Sequence, residues 1–312
     1  LVNLRSRPDK DQVARNRTQA AGVMTPADPK GLRRGTVEVA GVVSPYIESG
    51  PHGSREAVVF VHGNPGSSED FAGLVAEAGK LTRAVAADMP GFGKAGKPAG
   101  FDYTVEGYAA HLGKMLAELG IDRVHLVAHD FGGPWALAWA AANPEAYASA
   151  SLINTGVLLD YRWHYLAKIW QTPVAGEMFN ASTSAPAFRL LLRHGNSGGL
   201  PRPFLDRMYA DFDKRTKRAV LKLYLASRNP EEQFQQLRAA LSQLDRPVLV
   251  IWGKKDPYIP HEQADAQRKT FPNARVVMLD GSGHWPFVDN PQAVQEALIP
   301  FLAEALTSRQ PA

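Results

Sequence analysis

Two carboxylates and one imidazole stand in short turns of the kind that present reactive groups. Asp130 lies in V-H-L-V-A-H-D-F-G-G-P-W (residues 124–135), Asp256 in G-K-K-D-P (253–257) and His284 in D-G-S-G-H-W-P (280–286). An aspartate is ionised at neutral pH, its reference pKa being about 3.9. It therefore needs no base before it attacks an electrophilic carbon. A histidine held in tautomer and orientation by a second aspartate suits a different task, taking a proton from water. Used in the order nucleophile, acid, base, the three groups would first form an alkyl ester on Asp130 and then hydrolyse it.

The neighbours of Asp130 form a strand that turns sharply into a helix. Val124, Leu126, Val127 and Ala128 make a mostly apolar run short enough for a buried strand, and Gly132 and Gly133 open a second apolar run reaching Ala142 at helical length. Such a turn strains the backbone of its apex residue. It also needs small neighbours so that strand and helix can approach, and Ala128, Gly132 and Gly133 meet that need.

The rest of the chain supplies elements to hold these turns. Apolar runs predict strands over 36–40 and 44–49 (a hairpin joined at Gly41), 57–61, 83–87, 124–128, 147–153, 247–252 and 274–279. Helical spacing predicts helices over 68–80, 104–119 (Thr104 as N-cap, Gly120 as stop), 132–142 and 291–306. Strands alternating with helices imply an α/β protein, a mainly parallel sheet wrapped on both faces. In such a sheet the strand ends line one edge, so Asp130, Asp256 and His284 can converge. The stretch 156–244 breaks the pattern: it has helix-like, aromatic-rich segments at 162–170, 187–193, 204–211 and 214–227 and no strand alternation. It reads as a helical cap inserted into a core made of 36–155 and 245–308. Residues 1–35 are polar, basic and broken by Pro8, Pro26, Pro29 and Gly31, and read as an extension outside that core.

Composition narrows the partners. The 312 residues carry a net charge of only +4, with no basic run interleaved with aromatics, which argues against a nucleic-acid partner. With no cysteine, disulfides and thiolate metal sites are excluded and a cytoplasmic setting is the expectation. The sequence has no metal-ligand cluster and no glycine-rich phosphate loop, so neither a metal nor a cofactor is expected. No apolar run is long enough to span a membrane, and no secretory segment stands near Leu1. The expected partner is a small apolar substrate, taken by a monomer or homodimer.

At the strand–Asp130–helix turn the chain resembles the α/β-hydrolase superfamily, and within it the aspartate-nucleophile branch of epoxide hydrolases and haloalkane dehalogenases. G-K-K-D resembles the acid loop of that superfamily, G-S-G-H-W-P the base loop and D-M-P-G-F-G (88–93) its D-x-P-G-x-G loop, to which structural work under the elbow is assigned. H-G-N-P (62–65) resembles its oxyanion loop. The likeness runs from about residue 36 to 306. It implies an eight-stranded α/β-hydrolase fold with a cap. It also implies backbone N–H groups of Asn64 and Phe131 aimed at a developing oxyanion, each worth on the order of 3 kcal/mol.

The resemblance implies that cap hydroxyls protonate the alkoxide of an opened epoxide. Tyr224 is the first candidate and Tyr165 the second, with Tyr161 and His164 as close competitors; His164 and Trp285 would line the substrate. In a haloalkane dehalogenase the Asn64 amide would hold a halide, usually with an indole N–H directly after the nucleophile. Phe131 has no donor there, so epoxide hydrolysis ranks first and dehalogenation second. A ligand-binding protein on a hydrolase scaffold is a third alternative, against which the intact Asp130–Asp256–His284 set argues.

Overall fold

The computed structural model describes residues 31–196 and 198–308. The expected N-terminal extension lies, as far as residue 30, outside the described residues. The first strand begins at Arg33 rather than Thr36: β1 (Arg33–Val39) pairs antiparallel with β2 (Val42–Ser49), and Arg33 reaches across to Glu48 at 3.0 Å. The turn between them puts Ala40 (φ 51°) and Gly41 (φ 79°) in the left-handed region, as a two-residue hairpin of matching twist requires.

The remaining strands are β3 (Glu56–Val61), β4 (Arg83–Ala87), β5 (Arg123–His129), β6 (Tyr147–Ile153), β7 (Val248–Gly253) and β8 (Arg275–Leu279). They form one eight-stranded sheet in the order β1-β2-β4-β3-β5-β6-β7-β8. Only the β1–β2 and β2–β4 pairings are antiparallel. Every residue of β4, β6 and β7 is buried, which is why these strands are dominated by apolar and small residues; the exception is Arg83 at the start of β4, whose charge is paired with Glu48 at 2.8 Å.

Helices flank the sheet. α1 (Ala72–Ala78) follows a 3-10 turn whose cap is Ser67 rather than Ser68. The Ser67 N–H donates to the Asp70 carboxylate at 3.0 Å, while Ser68 is spent on Asp88 through its N–H (2.7 Å) and its hydroxyl (2.6 Å). α2 (Val105–Glu118) has the expected cap, Thr104, whose hydroxyl accepts the Gly107 N–H at 3.1 Å. α3 (Gly132–Ala142) leads away from Asp130. Tyr108 of α2 stacks on Trp135 of α3 with ring centroids 3.8 Å apart, and its hydroxyl donates to the Pro90 carbonyl at 2.9 Å. One side chain thus clamps the helix after Asp130 to the D-M-P-G-F-G loop.

Six helices lie between β6 and β7: α4 (Tyr165–Gln171), α5 (Ala175–Ser182), α6 (Ala185–Arg193), α7 (Arg202–Asp211), α8 (Lys214–Ala226) and α9 (Glu231–Leu241). α5 was not anticipated, because it buries only Gly176 and Asn180 and so shows no apolar stripe. α9 was not anticipated either. It packs on α3 and so belongs with the core layer, whereas α4, α5 and α8 pack on one another and α6 on α7. α10 (Glu262–Ala266), α11 (Pro286–Asp289) and α12 (Pro291–Thr307) complete the chain, with α12 against α1. No helix among the described residues is long and apolar enough to cross a membrane.

The close approach of α3 to the sheet has a testable cost. A Cβ on Gly132 would lie 2.1 Å from the Val61 carbonyl oxygen, a backbone atom with nowhere to move. Gly132→Ala should therefore lower stability by about 3 kcal/mol, the upper end for overpacking. Gly73, inside α1 with nothing near its Cβ position, is the control. Gly73→Ala should stabilise by about 0.5–1 kcal/mol. Urea unfolding of both variants measures the difference, and equal midpoints would show that the strand–helix approach is not tight.

Candidate active site

Asp130, Asp256 and His284 do converge beyond the ends of β5, β7 and β8. Asp130 has φ 51°, a conformation that non-glycine residues rarely adopt. Its backbone is held there by Thr155, whose hydroxyl donates to the Asp130 carbonyl at 2.6 Å. Its carboxylate accepts the Asn64 N–H at 2.7 Å. That contact explains the glycine of H-G-N-P: a Cβ on Gly63 would sit 2.2 Å from the Asp130 Oδ1. His62 secures the same loop, its Nε2 accepting the Met89 N–H at 2.9 Å and its Nδ1–H donating to the Gly63 carbonyl, also at 2.9 Å.

His284 lies between the two carboxylates. Its Nδ1 is 2.7 Å from Asp256 and its Nε2 is 3.5 Å from Asp130. Asp256 is itself saturated with donors: the Tyr258 N–H (2.7 Å), the Ile259 N–H (3.1 Å) and the Asn154 amide (2.8 Å). The backbone of His284 is pinned as well. Its N–H donates to the Gly195 carbonyl at 2.9 Å, and its carbonyl accepts from His129 Nε2 at 2.8 Å.

Charge follows from these contacts. Burial opposes a proton on His284, yet Asp256 and Asp130 outweigh it and raise the imidazole to about 10. Burial likewise opposes ionisation of Asp130, but the hydrogen bond and charge of His284, with His129 and the Asn64 N–H, lower it to about 2. His129 is pushed down to about 3, by burial first and by His284 second, so it is neutral and carries its proton on the nitrogen that faces the carbonyl.

A cavity opens onto Asp130 and His284, with Asn64, His164, Tyr224, Tyr258 and Trp285 in its wall. The Tyr224 ring stacks on Trp170 and meets the edge of Phe131, and its hydroxyl has the Asn64 side chain as a hydrogen-bond partner. Burial, reinforced by Asp130, keeps that phenol far above its usual pKa. His164 is the N-cap of α4, its Nδ1 accepting the Ala167 N–H at 3.2 Å. An acceptor Nδ1 leaves the proton on Nε2. Burial lowers His164 to about 4, so the ring is a neutral N–H donor. The Asn64 side-chain oxygen is buried without a partner.

Tyr165 does not join this group. It is 49% exposed, outside the cavity wall, and its ring lies near His194. Successive helical residues point about 100° apart, so with His164 turned into the cavity its neighbour faces out. Tyr161, the competitor, lies near Asp130 but donates its proton to the Tyr258 carbonyl at 2.9 Å. Trp285 is buried with its ring 4.6 Å from that of His284. Two residues escaped the sequence reading. Asn154, at φ 47°, ties Asp256 to the Gly253 N–H, and Tyr258 both caps Asp256 and walls the cavity. The signal for Asn154 was available: it is the first residue past a buried strand at the same sheet edge.

Residues 56–291 match the α/β hydrolase fold family, and the chain belongs to that family. It is 27% identical to haloalkane dehalogenase 2 of Mycobacterium tuberculosis, over 81% of this chain and 89% of that one. It is also 27% identical to a 2-hydroxy-6-oxononadienedioate/2-hydroxy-6-oxononatrienedioate hydrolase of Cupriavidus pinatubonensis, over 79% and 86%. Among solved structures, Cfl2 from Burkholderia cenocepacia superimposes with a TM-score of 0.79 at 24% identity, covering 90% of this chain and 99% of that one; at that identity it shows the shared fold.

The coupling of His284 to Asp130 can be measured directly. In the intact protein His284 should hold its proton until the pH approaches 10. Asp130→Asn removes a negative charge and an anionic acceptor, so the imidazole pKa should fall. Nitrogen-15 NMR of the ring reads this, and an unchanged titration would mean that Asp130 and His284 are not paired.

Proposed function

We propose that this hydrolase-fold chain opens epoxides, with Asp130 as nucleophile and His284 as base. The observation that carries this is the pair of neutral donors, Tyr224 and His164, that share the cavity with Asp130: a phenol kept protonated by burial and an imidazole whose hydrogen is confined to Nε2. An epoxide needs such groups, because its leaving oxygen stays attached and must be protonated. Helices α4–α8 act as the cap: His164 caps α4 and Tyr224 lies on α8. The last helix of the expected cap stretch 156–244, α9, packs on α3.

The chemistry runs in two stages. An Asp130 oxygen attacks a ring carbon, the carbon–oxygen bond breaks, and the alkoxide takes the Tyr224 proton while His164 donates a hydrogen bond to it. Asp130 is now a neutral ester. Both contributions of its carboxylate to the His284 proton, hydrogen bond and charge, are gone. The imidazolium then releases its proton, which restores the Tyr224 phenol. Neutral His284, oriented by Asp256, takes a proton from water, and the hydroxide attacks the ester carbonyl. The Asn64 and Phe131 N–H groups hold the oxyanion, as the contact of Asn64 with Asp130 already anticipates. Collapse frees the diol and leaves His284 protonated beside a carboxylate, its resting state.

Haloalkane dehalogenation is the second reading, favoured by the Asn64 side-chain amide in the cavity wall beside Asp130, whose N–H groups are the kind a halide accepts from, and by the dehalogenase relative. It would use the same triad but leave the Tyr224 proton without a role.

Two variants separate these chemistries. His284→Gln should accumulate an ester on Asp130, seen as a stoichiometric mass increase in the intact protein; an unmodified, inactive protein would place His284 before the first step. Tyr224→Phe should slow ester formation from epoxides by roughly 10²–10⁴-fold, the scale of a positioned general acid, and leave hydrolysis of a preformed ester much less affected. Turnover of haloalkanes but not epoxides, insensitive to Tyr224→Phe, would reverse the ranking.

A further inference from the structure

Asp130 opens onto a second cavity as well. Its wall and that of the first share only Asp130 and His164. Val105, Phe131, Pro134, Leu158, Phe234 and Ile259 give it apolar walls. Its polar side chains are mostly committed elsewhere. Tyr161 donates to the Tyr258 carbonyl at 2.9 Å and Trp163 to the Ser227 carbonyl at 3.0 Å. The Ser227 hydroxyl donates to the Leu223 carbonyl at 2.9 Å and the Gln233 amide to Glu106 at 2.6 Å. A chamber whose hydrogens are already spent on the protein has little to offer a polar group and much to offer hydrocarbon. The same holds for the far wall of the first cavity, where the Trp170 indole donates to Asn180 at 2.7 Å. The neutral donors Tyr224 and His164 line the first cavity together with the carboxylate.

We infer that the substrate has two apolar arms, one for each chamber, joined at the reacting group: on the epoxide-hydrolase reading, an epoxide substituted at both ring carbons. The oxygen sits at the junction with Tyr224 and His164, a ring carbon faces Asp130, and the two substituents diverge. A terminal epoxide must crowd its single arm into one chamber and leaves the other unfilled. Each methylene that gains an apolar home is worth about 0.8 kcal/mol, roughly fourfold in affinity.

The test compares a terminal ten-carbon epoxide bearing one octyl arm with its internal isomer bearing two butyl arms. The internal isomer should have a kcat/KM at least about tenfold higher, despite its more hindered ring carbons. Leu158→Trp should fill the second chamber and cut kcat/KM for the internal isomer at least about tenfold more than for the terminal one. The milder Leu158→Phe should act in the same direction, and residual turnover of the terminal isomer reports a folded protein. Preference for the terminal isomer, or equal loss for both, would overturn the two-arm assignment and leave epoxide hydrolysis standing. Binding of the two corresponding diols, followed by tryptophan fluorescence, is read independently of turnover. If neither epoxide reacts, yet the internal diol binds more tightly and Leu158→Trp abolishes that advantage, the chambers are upheld and the epoxide chemistry falls. If the diols bind alike, the chambers fall.

Discussion

One buried ion pair sets the terms for everything around it. Asp130 and His284 face each other at 3.5 Å in the protein interior, with Asp256 behind the imidazole at 2.7 Å. Two carboxylates and one imidazolium leave a net negative charge out of water, and burial costs several kcal/mol per ion unless each is hydrogen-bonded. The fold meets that demand mainly with backbone N–H groups: Asn64 for Asp130, and Tyr258 and Ile259 for Asp256. Such donors cannot be supplied by choosing side chains. They require loops that bend in the right places, which is why the turns after β3 and β7 carry glycine and proline.

The same demand explains the tight packing beneath the elbow. The Asn64 N–H reaches Asp130 only because Gly63 lets the loop pass against the carboxylate, and Asp130 reaches the loop only because its own φ is positive. Thr155 holds that strained residue by its carbonyl, and a Cβ on Gly133 would collide with the Thr155 hydroxyl at 2.0 Å. Strain at Asp130, small residues in α3 and the threonine after β6 are therefore one arrangement, anchored further out by Tyr108 on Trp135.

What was legible in the sequence follows the same division. Core strands came through clearly because residues buried on both faces leave runs dominated by apolar and small residues; 83–87 and 147–153 match β4 and β6, although β4 opens on the buried Arg83 and β6 carries Ser149 and Ser151. The triad was legible because each member directly follows a strand or sits in a short turn beyond one. The helices between β6 and β7 were harder. α5 pairs through Gly176 and the Asn180 amide rather than an apolar stripe, and α9 joins a layer its position in the chain does not suggest. Side chains on these helices were hardest: Tyr165 and His164 are adjacent in sequence and face opposite environments. Only the exact start of α4 decides between them, and helix starts are the least readable feature of a sequence.

His164 shows why that start matters chemically. Because its Nδ1 caps α4, the proton is confined to Nε2, and because the ring is buried it stays uncharged even with Asp130 nearby. A cation at this position would compete with His284 for the Asp130 carboxylate. A neutral N–H does not: it interacts weakly with a resting anion it does not touch, and strongly with negative charge that develops within its reach. The Tyr224 phenol, held far from ionisation by burial, has the same property. Both helices thus place donors beside the buried ion pair without altering its charge, and the balance between Asp130 and His284 remains free to shift when Asp130 is neutralised.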